Sequence, residues 1–187
     1  MRLLAILKHD ARGSALIEFA ICLPLLVVFV VGIYDFSGGF NQRQKIEHAA
    51  QQAAIVAGAQ PMTDIESTNV NPQSLQPVLQ VVFTSLAANN VLPSGNFSSC
   101  TVGTPTHDIS TLQWSYSISG CSPDPLVITI DRGWVPGGAQ PTTVGTKVSV
   151  SYPYHWRFNS VIQLLVPGAA YAATTNVTET ASVHNQM

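Results

Sequence analysis

Charge is what this chain has least of. Only 10% of its 187 residues are Asp, Glu, Lys or Arg, and the formal net charge is −2. With eight Lys and Arg spread over the chain, there is no basic face of the kind that binds a phosphate backbone, so nucleic acid is excluded as a partner. Cysteine is equally sparse. Cys22, Cys100 and Cys121 form no C-x-x-C pair and have no histidine at ligand spacing, and the five histidines are scattered at 9, 48, 107, 155 and 184. A structural metal site is not expected. There is no G-x-G-x-x-G, no P-loop and no G-x-S-x-G elbow, and Gly137–Gly138 lies between prolines, as a turn does. The acids stand singly, so paired-carboxylate chemistry has no base, and His107–Asp108 alone does not make a triad. The expectation is a protein that is not an enzyme and that carries no cofactor.

What the chain does have is one long apolar run. From Ala15 to Ile33 the residues are Leu, Ile, Val, Phe and Ala almost throughout, interrupted by one carboxylate, Glu18. Nineteen residues in a helix rise roughly 29 Å, close to the roughly 30 Å of a bilayer's hydrocarbon core. A helix apolar on every face for this long is unusual in the core of a soluble protein. A secretory signal peptide also has a basic start and an apolar stretch, but its apolar part is roughly 7–15 residues long and a small-residue cleavage site follows. "GIYDFSGGF" offers no such site. The leader carries Arg2, Lys8 and Arg12 against Asp10, and the first charge past the run is Asp35, so the N-terminus is expected in the cytoplasm and the rest of the chain across the membrane.

Beyond the run, "DFSGG" at 35–39 reads as a flexible joint, and Pro24 and Gly38–Gly39 are the places where the helix would bend. In "FNQRQKIEHAAQQAAIVAGAQP", Phe40, Ile46, Ala49, Ala50, Ala53, Ala54 and Ala57 recur at spacings of three and four, and Gly58 and Pro61 mark a stop. The pattern predicts an amphipathic continuation with a small-residue stripe. A second helix is predicted from about Pro72 or Ser74 to Ala88, with Leu75, Val78, Leu79, Val82, Phe83 and Leu86 on one face. Strands are predicted at 111–119, 126–133, 146–156 and 174–183. In the third, Val148, Val150 and Tyr152 alternate with Lys147, Ser149 and Ser151, as in an antiparallel sheet with one covered face. The apolar segment 160–170 is too short to span and is expected to be a small helix or covering loop. The fold class is therefore α+β: a long N-terminal transmembrane and amphipathic helix, one further helix and a small antiparallel sheet.

Cys100 and Cys121 fall beyond the span, in an oxidising compartment, and are expected to pair. The closed loop of about twenty residues would stabilise the domain by roughly 3 kcal/mol on the chain-entropy model.

A carboxylate inside an apolar span is costly unless it is interfacial, neutralised or paired, so Glu18 is functional by default. Its surroundings are specific. Residues 12–60, opening with "RGSALIEFAICLPLLVVFVVGIYDFSG" and carrying G-x-x-x-x-E-F with Pro24 and Gly32 downstream, resemble the TadE/TadF-like minor pseudopilins of the Flp pilus, the tight-adherence (Tad) system of bacteria. The resemblance implies a type IV prepilin-like N-terminus cut between Gly13 and Ser14 by a membrane prepilin peptidase. It also implies that Glu18, followed by Phe19, pairs with the new N-terminal amine of a neighbouring subunit during assembly. The implied partners are that peptidase, other pilin and pseudopilin subunits, the assembly platform and the lipid bilayer.

The implied location is the inner membrane, single-pass, with a periplasmic C-terminal domain or incorporation into a pilus. The implied organisation is a leader at 1–13, a transmembrane helix at 14–34, an amphipathic extension at 35–60 and an exported α+β domain at 61–187. The other function class that the residues leave open is a membrane-anchored protein with an exported ligand-binding or adhesion domain, in which Gly13 and Glu18 are coincidental.

Overall fold

A computed structural model describes residues 10–66, 68–92, 97–108, 110–120, 122–136, 144–158, 163, 168 and 174–185. The Gly137–Gly138 turn and most of the 160–170 segment lie outside them. The fold class is the expected one: a long apolar helix, one further helix and an antiparallel sheet. Helix α1 runs from Asp10 to Ala59 as 50 residues without a break, with Pro24 inside it. At about 1.5 Å per residue it is roughly 75 Å long. The helix continues through 35–39, as one long N-terminal helix was expected to: Gly38 and Gly39 are helical. Glycine costs a helix about 1 kcal/mol against alanine, too little to end one held by tertiary contacts on either side.

The chain divides into two compact units. One comprises residues 1–39 with 155–174, and the other residues 40–154 with 175–187.

The larger unit contains the core. Helix α2, Gln76–Ala88, follows a single 3-10 turn at Gln73–Leu75 and begins with a proline in its first turn, where the missing N–H costs nothing. Leu75, Val78, Leu79, Val82, Phe83 and Leu86 are all buried, the face that the spacing predicted. The helix ends where Asn90 turns left-handed (φ 55°) and the Val91 N–H returns to the Leu86 carbonyl at 2.9 Å.

Among the described residues six strands follow: β1 Thr101–Val102, β2 Thr106–Asp108, β3 Gln113–Ser119, β4 Leu126–Trp134, β5 Gly145–His155 and β6 Thr174–His184. The sheet order is β1-β3-β4-β5-β6, and β2 also pairs with β3. Thr101 faces Ser119, whereas Asp108 faces Gln113, so β1 and β2 occupy the two ends of one edge of β3. Four of the six strands match the sequence reading to within a few residues. The two it lacked, β1 and β2, have two and three residues, too few for an alternation to register.

The sheet covers its inner face and leaves the outer one wet. Trp114, Tyr116 and Ile118 of β3, Leu126, Ile128 and Ile130 of β4, and Val148, Val150 and Tyr152 of β5 are buried, in one core with the stripe Ile46, Ala49, Ala50, Ala53, Ala54 and Ala57 of α1. Alanine lets the helix backbone come close. At Gly58 the approach is closer still, since a Cβ there would lie 2.6 Å from Val183 Cγ1. Gln42 Nε2 donates to the Pro153 carbonyl (3.1 Å), and Arg43 pairs with Glu179 of β6. Phe40 is the exception to the predicted stripe, being 63% exposed. At about 100° per residue it lies roughly 120° around the helix from Ile46.

Candidate functional site

The N-terminal part of α1 turns its large apolar side chains outward. Leu16, Ile17, Phe19, Ile21, Leu25, Leu26, Phe29, Val30 and Ile33 are all exposed. The helix is long and apolar enough to cross a membrane, and its most apolar stretch is wholly unburied. Such a surface is stable in water only when something apolar covers it.

Glu18 stands at the start of this surface. The Ser14 hydroxyl, one turn earlier, donates to Glu18 Oε1 at 3.2 Å, and both groups are exposed. Gly13 has open space around it, with nothing within 4 Å of where a Cβ would be. The Gly13–Ser14 peptide lies inside α1, so a protease that reads extended substrate would have to unwind the first turns. Pro24 sits mid-helix, and Cys22 is exposed and free. The structure thus brings Ser14 and Glu18 together on one face and leaves Phe19 (63% exposed) beside them.

At the far end of the apolar stretch is a feature the sequence reading lacked. Asp35 is only 2% exposed, and its Oδ2 accepts the Phe158 backbone N–H at 2.8 Å. Trp156 meets Phe36 edge-on with ring centroids 5.3 Å apart, and the Phe158 ring lies 3.7 Å from where a Cβ on Gly32 would be. The segment 155–158 is thereby strapped to residues 32–36 of α1. "HWRF" is the signal that was available, a run of aromatic and basic residues at the end of a strand.

A second polar cluster secures the other end of α1. Arg132 follows Ile128 and Ile130 on the inner face of β4 and is fully buried. Its guanidinium donates to the Gln60 carbonyl (2.8 Å), to Met62 Sδ (2.8 Å) and to Thr146 Oγ1 (3.1 Å). The last turn of α1 has no basic residue, so β4 supplies the cation that its terminal carbonyls favour. Burial pushes the arginine's pKa down, while Asp64 opposes the shift. Period-two reading of "LVITIDRGW" places Arg132 inward, and that alternation was the signal for it.

The loop after α1 is held from β3: Trp114 Nε1 donates to the Asn69 carbonyl (2.9 Å) and the Tyr116 hydroxyl to Asn71 Oδ1 (3.2 Å). Burial, and secondarily the charge of Asp64, push the Tyr116 hydroxyl up to about 12. Burial pulls the Asp64 carboxyl upward, but hydrogen bonds from Ser74 and neighbouring backbone groups outweigh it and leave the pKa below the ordinary value.

The residues set aside as catalytic have structural employment. His107 stacks on Trp114 with ring centroids 4.5 Å apart, and Asp108 accepts hydrogen bonds from the Ser110 N–H (2.9 Å) and hydroxyl (2.7 Å). Those two bonds hold the Asp108 carboxyl below its ordinary pKa. Among the described residues, no group of three or more His, Cys, Asp or Glu is placed to hold a metal ion.

Cys100 is half-buried at the start of β1, and the Thr101–Ser119 pairing carries it to the level of Gly120. Cys121 lies outside the described residues.

Neither the curated proteins nor the solved structures contain a match to the chain. A family model does match. Residues 13–54, from Gly13 through the exposed apolar stretch and into the buried alanine stripe, match the family described as TadE-like protein.

Proposed function

We propose that this chain is a minor pseudopilin needed for assembly of a Flp-type, type IV-like pilus, acting structurally and not as a catalyst. The observation that carries the reading is the coincidence of three things. The TadE-like match begins at Gly13, Glu18 is the single acid of the apolar stretch, and that stretch has no cover within its own fold. In this reading residues 1–13 are a cytoplasmic leader, 14–34 span the inner membrane, 35–60 are the amphipathic extension, and 61–187 form the periplasmic domain.

A prepilin peptidase cuts between Gly13 and Ser14. Glycine suits that position because a backbone without a side chain enters a protease cleft closely. Cleavage removes Arg2, Lys8 and Arg12 together with Asp10, and takes the formal net charge from −2 to −4. It also leaves a new amino group on Ser14, whose hydroxyl already bonds Glu18. The freed amine and the carboxylate of a neighbouring subunit then form a pair in an apolar setting, where removing one partner costs about 3–5 kcal/mol. Pro24 sets a local adjustment of the helix, and Phe19 contributes apolar packing next to the charge. In the periplasm Cys100 and Cys121 pair.

The test is the N-terminus and mass of the mature protein from cells with and without the prepilin peptidase. A peptidase-dependent start at Ser14 is expected, and a leader retained in both strains would remove the proposal. Given processing, Glu18→Gln should abolish subunit incorporation, and normal piliation with that variant would refute the pairing role.

A further inference from the structure

The strap 155–158 has a position and a composition that together indicate its partner. From Ser14 to Tyr34 helix α1 rises about 30 Å, the thickness of a bilayer's hydrocarbon core. Gly32–Phe36, the stretch that the strap touches at Gly32, Asp35 and Phe36, therefore falls at the outer boundary of the membrane if the apolar stretch spans. Two aromatic side chains of α1 stand there, Tyr34 (68% exposed) and Phe36 (60% exposed). The strap adds Trp156 against Phe36, Phe158 against Gly32, and an exposed Arg157 between them. Tyrosine and tryptophan concentrate at membrane interfaces because one end of each ring is apolar and the other wet. An arginine at that level can meet lipid phosphate while its stem lies along apolar surface.

Asp35 would be costly at the edge of hydrocarbon, and the strap removes the difficulty. Its carboxylate turns inward, buried, and takes the Phe158 N–H.

We propose that the His155–Phe158 strap is a membrane-interface anchor, a second lipid-contacting element that seats Trp156, Phe158 and Arg157 in the outer headgroup layer and is held in place on α1 by the Asp35 carboxylate. The anchor rests on the spanning role given to α1 above.

The experiment uses the full chain reconstituted in vesicles of phosphatidylethanolamine and phosphatidylglycerol, with tryptophan emission quenched by spin-labelled lipid carrying its label near the headgroup or deep in the acyl chain. Wild type should be quenched by the shallow label more than by the deep one. With Trp134 replaced by Phe throughout, Trp156→Phe should lose that lipid-quenchable emission, since the remaining Trp114 is in the core. Asp35→Ala, which frees the strap without touching a tryptophan, should shift Trp156 from lipid quenching toward quenching by acrylamide in the water. Equal lipid quenching in wild type and Trp156→Phe would overturn the anchor. Alkaline carbonate extraction separates the two readings: a protein that stays in the membrane with an unquenched Trp156 refutes the anchor alone, whereas one released from the membrane refutes the span as well.

Discussion

The two halves of α1 use apolar residues to opposite ends. The first presents large side chains, Leu16, Ile17, Phe19, Ile21 and Phe29, all with more than half their surface open, whereas the second presents alanines with at most 2% open. Large, exposed and without a groove to fill, the first set suits a fluid surround or the helices of other subunits. The second set lies in the core shared with α2 and the sheet, and beside it a Cβ on Gly58 would lie 2.6 Å from Val183 of β6. Side-chain size, more than hydrophobicity, tells a helix face that solvates in lipid from one that docks on its own domain.

That contrast can be broken at several points, and the largest effect lies off the helix. Cys100→Ser should lower the stability of the sheet-bearing unit by about 3 kcal/mol and leave α1 untouched, measured by thermal unfolding with and without reductant. Intact protein should then be heavier by two hydrogens after reduction, and an unchanged mass would end the pairing.

Next comes a matched pair of substitutions on α1 itself. Ala50→Leu adds three carbons to a fully buried site and should cost about 2 kcal/mol by overpacking, whereas Ala20→Leu, on the open half, should leave the domain's unfolding midpoint where it was. Equal effects would mean that the two halves do not differ in kind.

The smallest effect is a matter of pH. Tyr116 holds its proton more tightly folded than unfolded, so its contribution is complete below pH 10, its ordinary value, and is lost as pH rises toward about 12. Tyr116→Phe should flatten that alkaline decline, followed by unfolding and by phenolate absorbance. At the acid end the sign reverses: Asp64, whose pKa is lowered in the fold, supports the folded state above pH 3.8, and that support fades as pH falls through its lowered value.

Much of this was legible in the residues because periodicity carries long elements well. The spacing of Leu75, Val78, Leu79, Val82, Phe83 and Leu86 indicated α2's face, and the alternation through Val148, Val150 and Tyr152 indicated that of β5. Gly13, Glu18 and the alanine stripe were visible for the same reason, since each is a local pattern. What was not legible is nonlocal. The Asp35–Phe158 bond joins residues 123 apart and the Arg132–Gln60 bond residues 72 apart, and no window of sequence displays either. Gly38 and Gly39 do not end the helix, because their weak intrinsic preference is overridden by helix on both sides.

Arg132 also bears on how the protein would carry load. The carbonyl of Gln60, just past the end of α1, is held by a side chain rooted in β4, and Arg43 of the same helix is paired with Glu179 of β6. A pull along α1 passes into two strands of the sheet through charged side chains, and the sheet shares it across its backbone ladders. The domain is thus fastened to its helix as a tension member is fastened at its terminal fitting, by a buried pin and not by the chain alone.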